Sequence, residues 1–139
     1  YAPKIRIDVW SNRGLSGIDG TIATAVGIAT ATLKPVRVLL GDLAFLHDAG
    51  SLVIDPAEPA KSIQIVLVND NGGKIFKNLE VAKTVPTGIY DRVFRTGQDF
   101  KAQSLAEAFG WQYVSVSSSQ QLADALNISG LVIIEAKLA

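Results

Sequence analysis

The chain of 139 residues contains no cysteine, no methionine and one histidine, His47. Without cysteine there are no disulfides, no thiolate metal sites and no sulfur nucleophile. A single histidine leaves no histidine-rich metal cluster. Excess charge of either sign is also missing, since 13 Lys+Arg balance 13 Asp+Glu. A surface built for nucleic acid phosphates carries surplus cations, so no nucleic acid partner is expected. Long apolar runs are lacking too. The charge-free stretch 20–33 is dense in Thr, Ala and Gly, and a membrane span needs roughly 20 predominantly apolar residues. No integral membrane segment and no secretory signal is expected, which points to a cytoplasmic protein. The missing methionine points to a trimmed start or to a piece of something longer.

What is present is material for a core. Hydrophobic residues make up 48% and charged residues 19%, the balance of one ordered domain over residues 1–139. Apolar periodicity predicts strands at 5–10, 36–40, 63–68, 113–116 and 131–134. Helices are predicted at 21–33, 45–54, 99–109 and 119–126, with little regular pattern over 77–98. Such alternation specifies an α/β fold: a three-layer, doubly wound, mainly parallel sheet with helices on both faces. Ligands in that architecture bind at the carboxyl ends of the strands, near the reversal of strand order. Polar, glycine-rich punctuation follows three strand ends, at 11–20, 41–44 and 69–73.

Asp42 and Asp70 each follow a buried apolar run, 28 residues apart in the chain. That spacing is about what one helix and one strand need to return to the same rim. Two carboxylates, an amide and turn carbonyls are hard oxygen donors, which Mg²⁺ takes when it also holds a phosphate-bearing ligand. Gly72 and Gly73 would let backbone approach such a ligand, and the start of the helix after Asp42 would offer N–H groups to an anion. Gly-Asp after a strand is equally an ordinary turn with a helix cap, and Asn-Asp-Asn-Gly an ordinary turn. Residue types alone leave both readings open.

The strings SNRGLSGIDG (11–20), GDLAFLHD (41–48) and VNDNGGKIF (68–76) narrow the choice. The Gly-Asp and Asn-Asp-Asn-Gly pair is similar to the GDG…NN motif of thiamine-diphosphate enzymes. Together the three strings resemble the C-terminal domain of the 2-succinyl-5-enolpyruvyl-6-hydroxy-3-cyclohexene-1-carboxylate synthase family of menaquinone biosynthesis. The resemblance extends more weakly to the last strand. It implies a transferase that decarboxylates 2-oxoglutarate on thiamine diphosphate and adds the four-carbon acyl anion to isochorismate. Residues 1–139 would then be the diphosphate- and Mg²⁺-binding domain, with Mn²⁺ as an alternative ion.

By position, the resemblance assigns side-chain oxygens of Asp42 and Asp70 and the carbonyl of Gly72 to the metal. Gly41, Leu43, Ala44, Asn71 and Gly73 would line the diphosphate, and Ile18 would prop the bent cofactor. Arg13 would face substrate carboxylates, for which a guanidinium fork is suited. Ile75, Phe76 and Leu79 would form an apolar wall of the substrate pocket. His47 is expected to be structural. Core packing remains the alternative for Ile18, Ile75, Phe76 and Leu79, and a surface turn for Arg13.

Three departures stand out. Leu43 replaces the second glycine of the general motif, as it does across this family. Ala44 stands where a serine hydroxyl commonly meets the diphosphate, a loss of about 1 kcal/mol for one hydrogen bond. Asp70 replaces the usual second asparagine. The activating glutamate of these enzymes comes from an N-terminal pyrimidine-binding domain, of the same or a neighbouring subunit in a homo-oligomer. Glu58, Glu80, Glu107 and Glu135 do not match it, so no catalytic residue is expected in this chain, which alone should be inactive. The alternatives are a domain of another thiamine-diphosphate 2-oxo acid decarboxylase or carboligase, and a non-catalytic α/β interaction module.

Overall fold

The computed structural model of the chain describes residues 7–12, 17–58 and 62–137. In chain order its main elements are α1 (Thr21–Thr32), β1 (Val36–Gly41), α2 (Asp42–His47), β2 (Ile63–Asn69), α3 (Val81–Thr84) and α4 (Thr87–Tyr90). They continue with α5 (Ala102–Ala108), β3 (Gln112–Val116), α6 (Ser119–Ala125) and β4 (Leu131–Lys137). The strands form one wholly parallel sheet in the order β1-β2-β4-β3. Ile63, Ile65, Leu67, Val132, Ile133 and Ile134 on the two central strands are fully buried. Strands covered on both faces need such near-continuous apolar sequence. α1, α2 and α5 pack one face around Phe45, Ile65 and Ile133. α6 covers the other, over Val116, Val132 and Ile134. The expected three-layer α/β class is what the chain adopts.

Helix α1 explains itself by small residues. Ile22, Ala25 and Ala29 recur on one face and are buried, and the two alanines let the helix lie close to the sheet. Thr24, Thr30 and Thr32 return their hydroxyls to the carbonyls four residues earlier, at 2.7–2.8 Å. Its N-cap, Gly20, has no side chain to satisfy the first N–H groups. Asp48 does so from beyond α2: its Oδ2 accepts the N–H of Ile22 at 2.5 Å and of Ala23 at 3.0 Å. The Ser51 hydroxyl donates to the other oxygen of Asp48 at 2.6 Å.

Several expectations shift. Residues 7–10 have no regular structure and Ile7, Val9 and Trp10 are exposed, so the strand expected at 5–10 is not formed over its described part; residues 5 and 6 lie outside the described residues. A strand exists through its ladder partners, and among the described strands none pairs with this segment. The helix expected at 45–54 starts earlier, at Asp42, and breaks at Asp48 into a 3₁₀ turn over Ala49–Leu52. The stretch 77–98 is not irregular: α3, α4, a 3₁₀ turn over Lys74–Asn78 and a π turn over Asp91–Arg95 fill it. The 3₁₀ turn and α3 are five and four residues long, and α4 runs directly into the π turn, so no single 3.6-residue period is sustained. Strand order reverses at β3, where the chain turns back to insert β4 beside β2.

Candidate functional site

β1 and β2 are neighbours, and Gly41 pairs with Val68. Asp42, the first residue past β1, therefore lies level with Asn69, the last residue of β2. Asp42 is 4% exposed. Its Oδ1 accepts the N–H of Leu43 at 2.8 Å, and its Oδ2 accepts the N–H of Gly72 at 2.6 Å, thirty residues along the chain. One buried carboxylate thus joins the Gly-Asp turn to the glycine turn after β2. The site sits at the carboxyl ends of adjacent strands, as expected for the fold class, although the reversal of strand order falls two strands away.

The turn itself is held from three sides. Asn69 Oδ1 accepts the N–H of Asn71 at 3.1 Å, an Asx turn that suits the left-handed φ of 64° at Asn71. The N–H of Gly73 donates to the Arg95 carbonyl at 2.5 Å, and Arg95 Nε donates back to the Asn71 carbonyl at 3.3 Å. Gly72 has φ 117°, and a Cβ there would run into the Arg95 carbonyl; one on Gly73 would lie 2.5 Å from the carbonyl of Phe94. Both glycines are thus demanded by the 91–97 segment packing onto the turn, a constraint that motif spacing does not disclose.

Behind the turn lies a buried polar group. Glu135 on β4 is 2% exposed. Its Oε1 accepts from Asn69 Nδ2 at 2.7 Å, and its Oε2 accepts from the Tyr113 hydroxyl. Lys137 Nζ stands 3.7 Å from Oε2. Burial, the hydrogen bond to Glu135 and its charge push Tyr113 up to about 12, against a smaller lowering by Ser115. The phenol therefore stays a donor to the carboxylate.

The expected residues fall into separate groups. Asp42, Asn71, Gly72 and Gly73 share one bonded turn, with Asp70 half-buried within it. Leu43 and Ala44 form the first turn of α2 beside Gly41, and Ala44 packs against the core. Ile18 lies exposed ahead of α1. Ile75 is 79% exposed and Leu79 is also exposed, while Phe76 meets Phe94 edge-on with centroids 6.0 Å apart. His47 is exposed in the last turn of α2. Arg13 lies outside the described residues. Sequence reading missed Asn69, Glu135, Tyr113 and the Arg95 carbonyl as supports of the turn. A lone carboxylate in the apolar string LVIIEAK was the available signal.

Among the described residues, no three His, Cys, Asp or Glu side chains cluster as a metal cage. The available donors are the Asp42 and Asp70 carboxylates, the Asn71 amide and the Gly72 carbonyl, all hard oxygens. Each Asp42 oxygen accepts one N–H, and the Gly72 carbonyl accepts one from Lys74 at 2.8 Å. Each of these oxygens keeps a further lone pair. An incomplete set of this kind fits Mg²⁺, which usually takes one or two carboxylates and completes its octahedron with phosphate oxygens and water.

Comparison with known proteins gives the family. A 2-succinyl-5-enolpyruvyl-6-hydroxy-3-cyclohexene-1-carboxylate synthase from Renibacterium salmoninarum is 47% identical over 91% of this chain and 24% of its own length. The synthases of the same name from Paenarthrobacter aurescens and Clavibacter michiganensis are 43% and 45% identical, over 98% and 89% of the chain. Those alignments span 25% and 22% of the two synthases, so the chain covers about a quarter of these relatives. The crystal structure of benzoylformate decarboxylase from Polynucleobacter necessarius superposes with a TM-score of 0.60 at 18% identity, over 86% of this chain and 22% of that one. That likeness concerns the fold. Residues 5–135 match the thiamine pyrophosphate enzyme, C-terminal TPP binding domain family, and with a match over nearly its whole length the chain belongs to that family.

Proposed function

We propose that this chain is the diphosphate-holding domain of a synthase that decarboxylates 2-oxoglutarate and adds the four-carbon product to isochorismate. The observation that carries the reading is the Asp42 carboxylate bound to the Gly72 N–H at 2.6 Å, which joins the Gly-Asp and Asn-Asp-Asn-Gly segments. The shared name of the relatives supports the choice of reaction. Asp42, Asp70 and the Gly72 carbonyl would hold a divalent cation, Mg²⁺ or Mn²⁺, which would supply positive charge for the diphosphate. Gly41, Leu43, Ala44, Asn71 and Gly73 line the diphosphate, and Ile18 props the cofactor. Arg13 receives substrate carboxylates, and Ile75, Phe76 and Leu79 offer an apolar wall. Exposure of Ile75 and Leu79 is consistent with a wall completed by another domain.

Thiamine diphosphate, when bound, supplies the nucleophilic carbon and the electron sink for decarboxylation. The chain's own contribution is to bind and orient the diphosphate end. The activating glutamate and the pyrimidine-binding surface come from an N-terminal domain of the same or a neighbouring subunit, in a homo-oligomeric cytoplasmic enzyme. The 139-residue chain alone therefore does not turn over. Calorimetric titration with thiamine diphosphate tests the reading. Binding should require Mg²⁺ or Mn²⁺ and should vanish in Asp42→Ala. Equal binding with chelator present would overturn it.

A further inference from the structure

Glu135 is a charged side chain buried in the middle layer, where desolvation of an unpartnered carboxylate would be costly. Its neighbours across the ladder are Leu67 on β2 and Ser115 on β3. It lies on the sheet and reaches the turn through Asn69. Both of its oxygens are committed. Oε1 takes the Asn69 amide at 2.7 Å, while Oε2 takes the Tyr113 hydroxyl and faces Lys137 Nζ at 3.7 Å.

Asn69 is the connecting piece. Its Nδ2 is bound to Glu135 and its Oδ1 to the Asn71 N–H at 3.1 Å. The amide plane is thereby fixed at both ends, one in the sheet and one in the turn. Asp70 and Gly72, which carry the proposed metal oxygens, flank Asn71. The left-handed backbone at Asn71 is one that non-glycine residues visit at a cost, and the bond from the Asn71 N–H to Asn69 Oδ1 holds it there.

We propose that Glu135 is a positioning residue for cofactor and metal binding: oriented by Tyr113, it locks the Asn69 amide and so fixes the turn that presents the Asp70 and Gly72 oxygens. This rests on the reading of the turn as the metal-holding site. Glu135 is not among the residues proposed to hold the metal or the cofactor. Its effect should therefore fall on affinity and not on turnover once the site is filled.

The full-length protein carries the test, with Mn²⁺ as the probe ion read by electron paramagnetic resonance at fixed thiamine diphosphate. Glu135→Leu should weaken Mn²⁺ and cofactor binding at least tenfold. The turnover rate at saturating ion and cofactor should stay within about twofold. Glu135→Gln keeps a carbonyl oxygen for Asn69 and can accept the Tyr113 hydroxyl only through a rearranged amide, so it should recover most of the affinity. Hydrogen exchange at the Asn71 amide, read by mass spectrometry or NMR without ligand, should speed up in Glu135→Leu and recover in Glu135→Gln. If Glu135→Leu does not fold, Asn69→Ala breaks the same link from the turn side and should reproduce both effects.

Unchanged Mn²⁺ affinity with unchanged exchange in a folded variant overturns the proposal, as does loss of kcat at saturation with affinity intact. If the wild-type protein binds cofactor without any divalent ion, the metal-holding reading fails. The exchange measurement then still decides whether Glu135 orders the turn.

Discussion

The carboxylate of Asp42 and the backbone N–H of Gly72, thirty residues apart, meet at 2.6 Å. The bond is buried and joins the ends of two parallel strands. The other carboxylate oxygen accepts the N–H of Leu43 within the first turn of α2. Any ion placed here would meet an anion already oriented by two N–H groups, with its remaining lone pairs fixed in direction.

Asp42→Asn should be severely damaging although it conserves shape. One of the two N–H groups would then face an amide NH₂ and lose its acceptor, at a cost of about 1–3 kcal/mol. Urea denaturation should show that loss, and titration should show no Mg²⁺-dependent binding of thiamine diphosphate.

Asp70→Asn should behave differently. Asp70 is only half-buried, and an amide oxygen can replace one carboxylate oxygen toward a hard cation. Mg²⁺-dependent cofactor binding should persist. A titration with complete loss would remove Asp70 from the ligand set.

Gly72→Ala should destabilise the turn. Its φ of 117° disfavours a side chain, and the new Cβ would collide with the Arg95 carbonyl. Strain of this kind costs of order 1–3 kcal/mol before the collision is relieved. Limited proteolysis should find faster cleavage in the 91–97 segment.

Asp48→Ala tests the remote helix cap. Two N–H groups of α1 lose their acceptor, and the first turn loses a favourable negative charge, worth about 1–2 kcal/mol together. Denaturant midpoints should fall, and Ser51→Ala should lower them less.

Alkaline pH should weaken the sheet through Tyr113. Its folded-state value lies near 12, above the ordinary 10.0. Between these limits the unfolded chain has lost a proton that the folded chain keeps, so stability falls as pH rises. Stability that is fully present below pH 10 should be lost progressively toward pH 12. Tyr113→Phe should lack this component of the pH dependence, measured by denaturation across that range.

Much of the fold was legible as period and punctuation. The central strands read as continuous apolar strings because both faces are covered, and Gly-Asp and Asn-Asp-Asn-Gly read as turns because few other residues suit them. The helix beginning at Asp42 was displaced in the reading, since its start is set by a carboxylate that bonds forward to Leu43 and across to Gly72. The turns between Lys74 and Arg95 were invisible because no single helical period is sustained through them. The strand expected at 5–10 illustrates the opposite error: alternation marks the capacity for a strand, and a ladder partner is needed to realise it.

The sequence by itself determined the layer architecture and the oxygen character of the proposed site, because these follow from residue type and spacing along the chain, while the family came from the resemblance of three strings. Only the tertiary structure decided which groups hold that site. Asp48 capping α1, the Arg95 carbonyl receiving Gly73, and Glu135 locking Asn69 across 66 residues are non-local bonds. Spacing carries no trace of them, since hydrogen bonding depends on where parallel strands and their return loops meet in space.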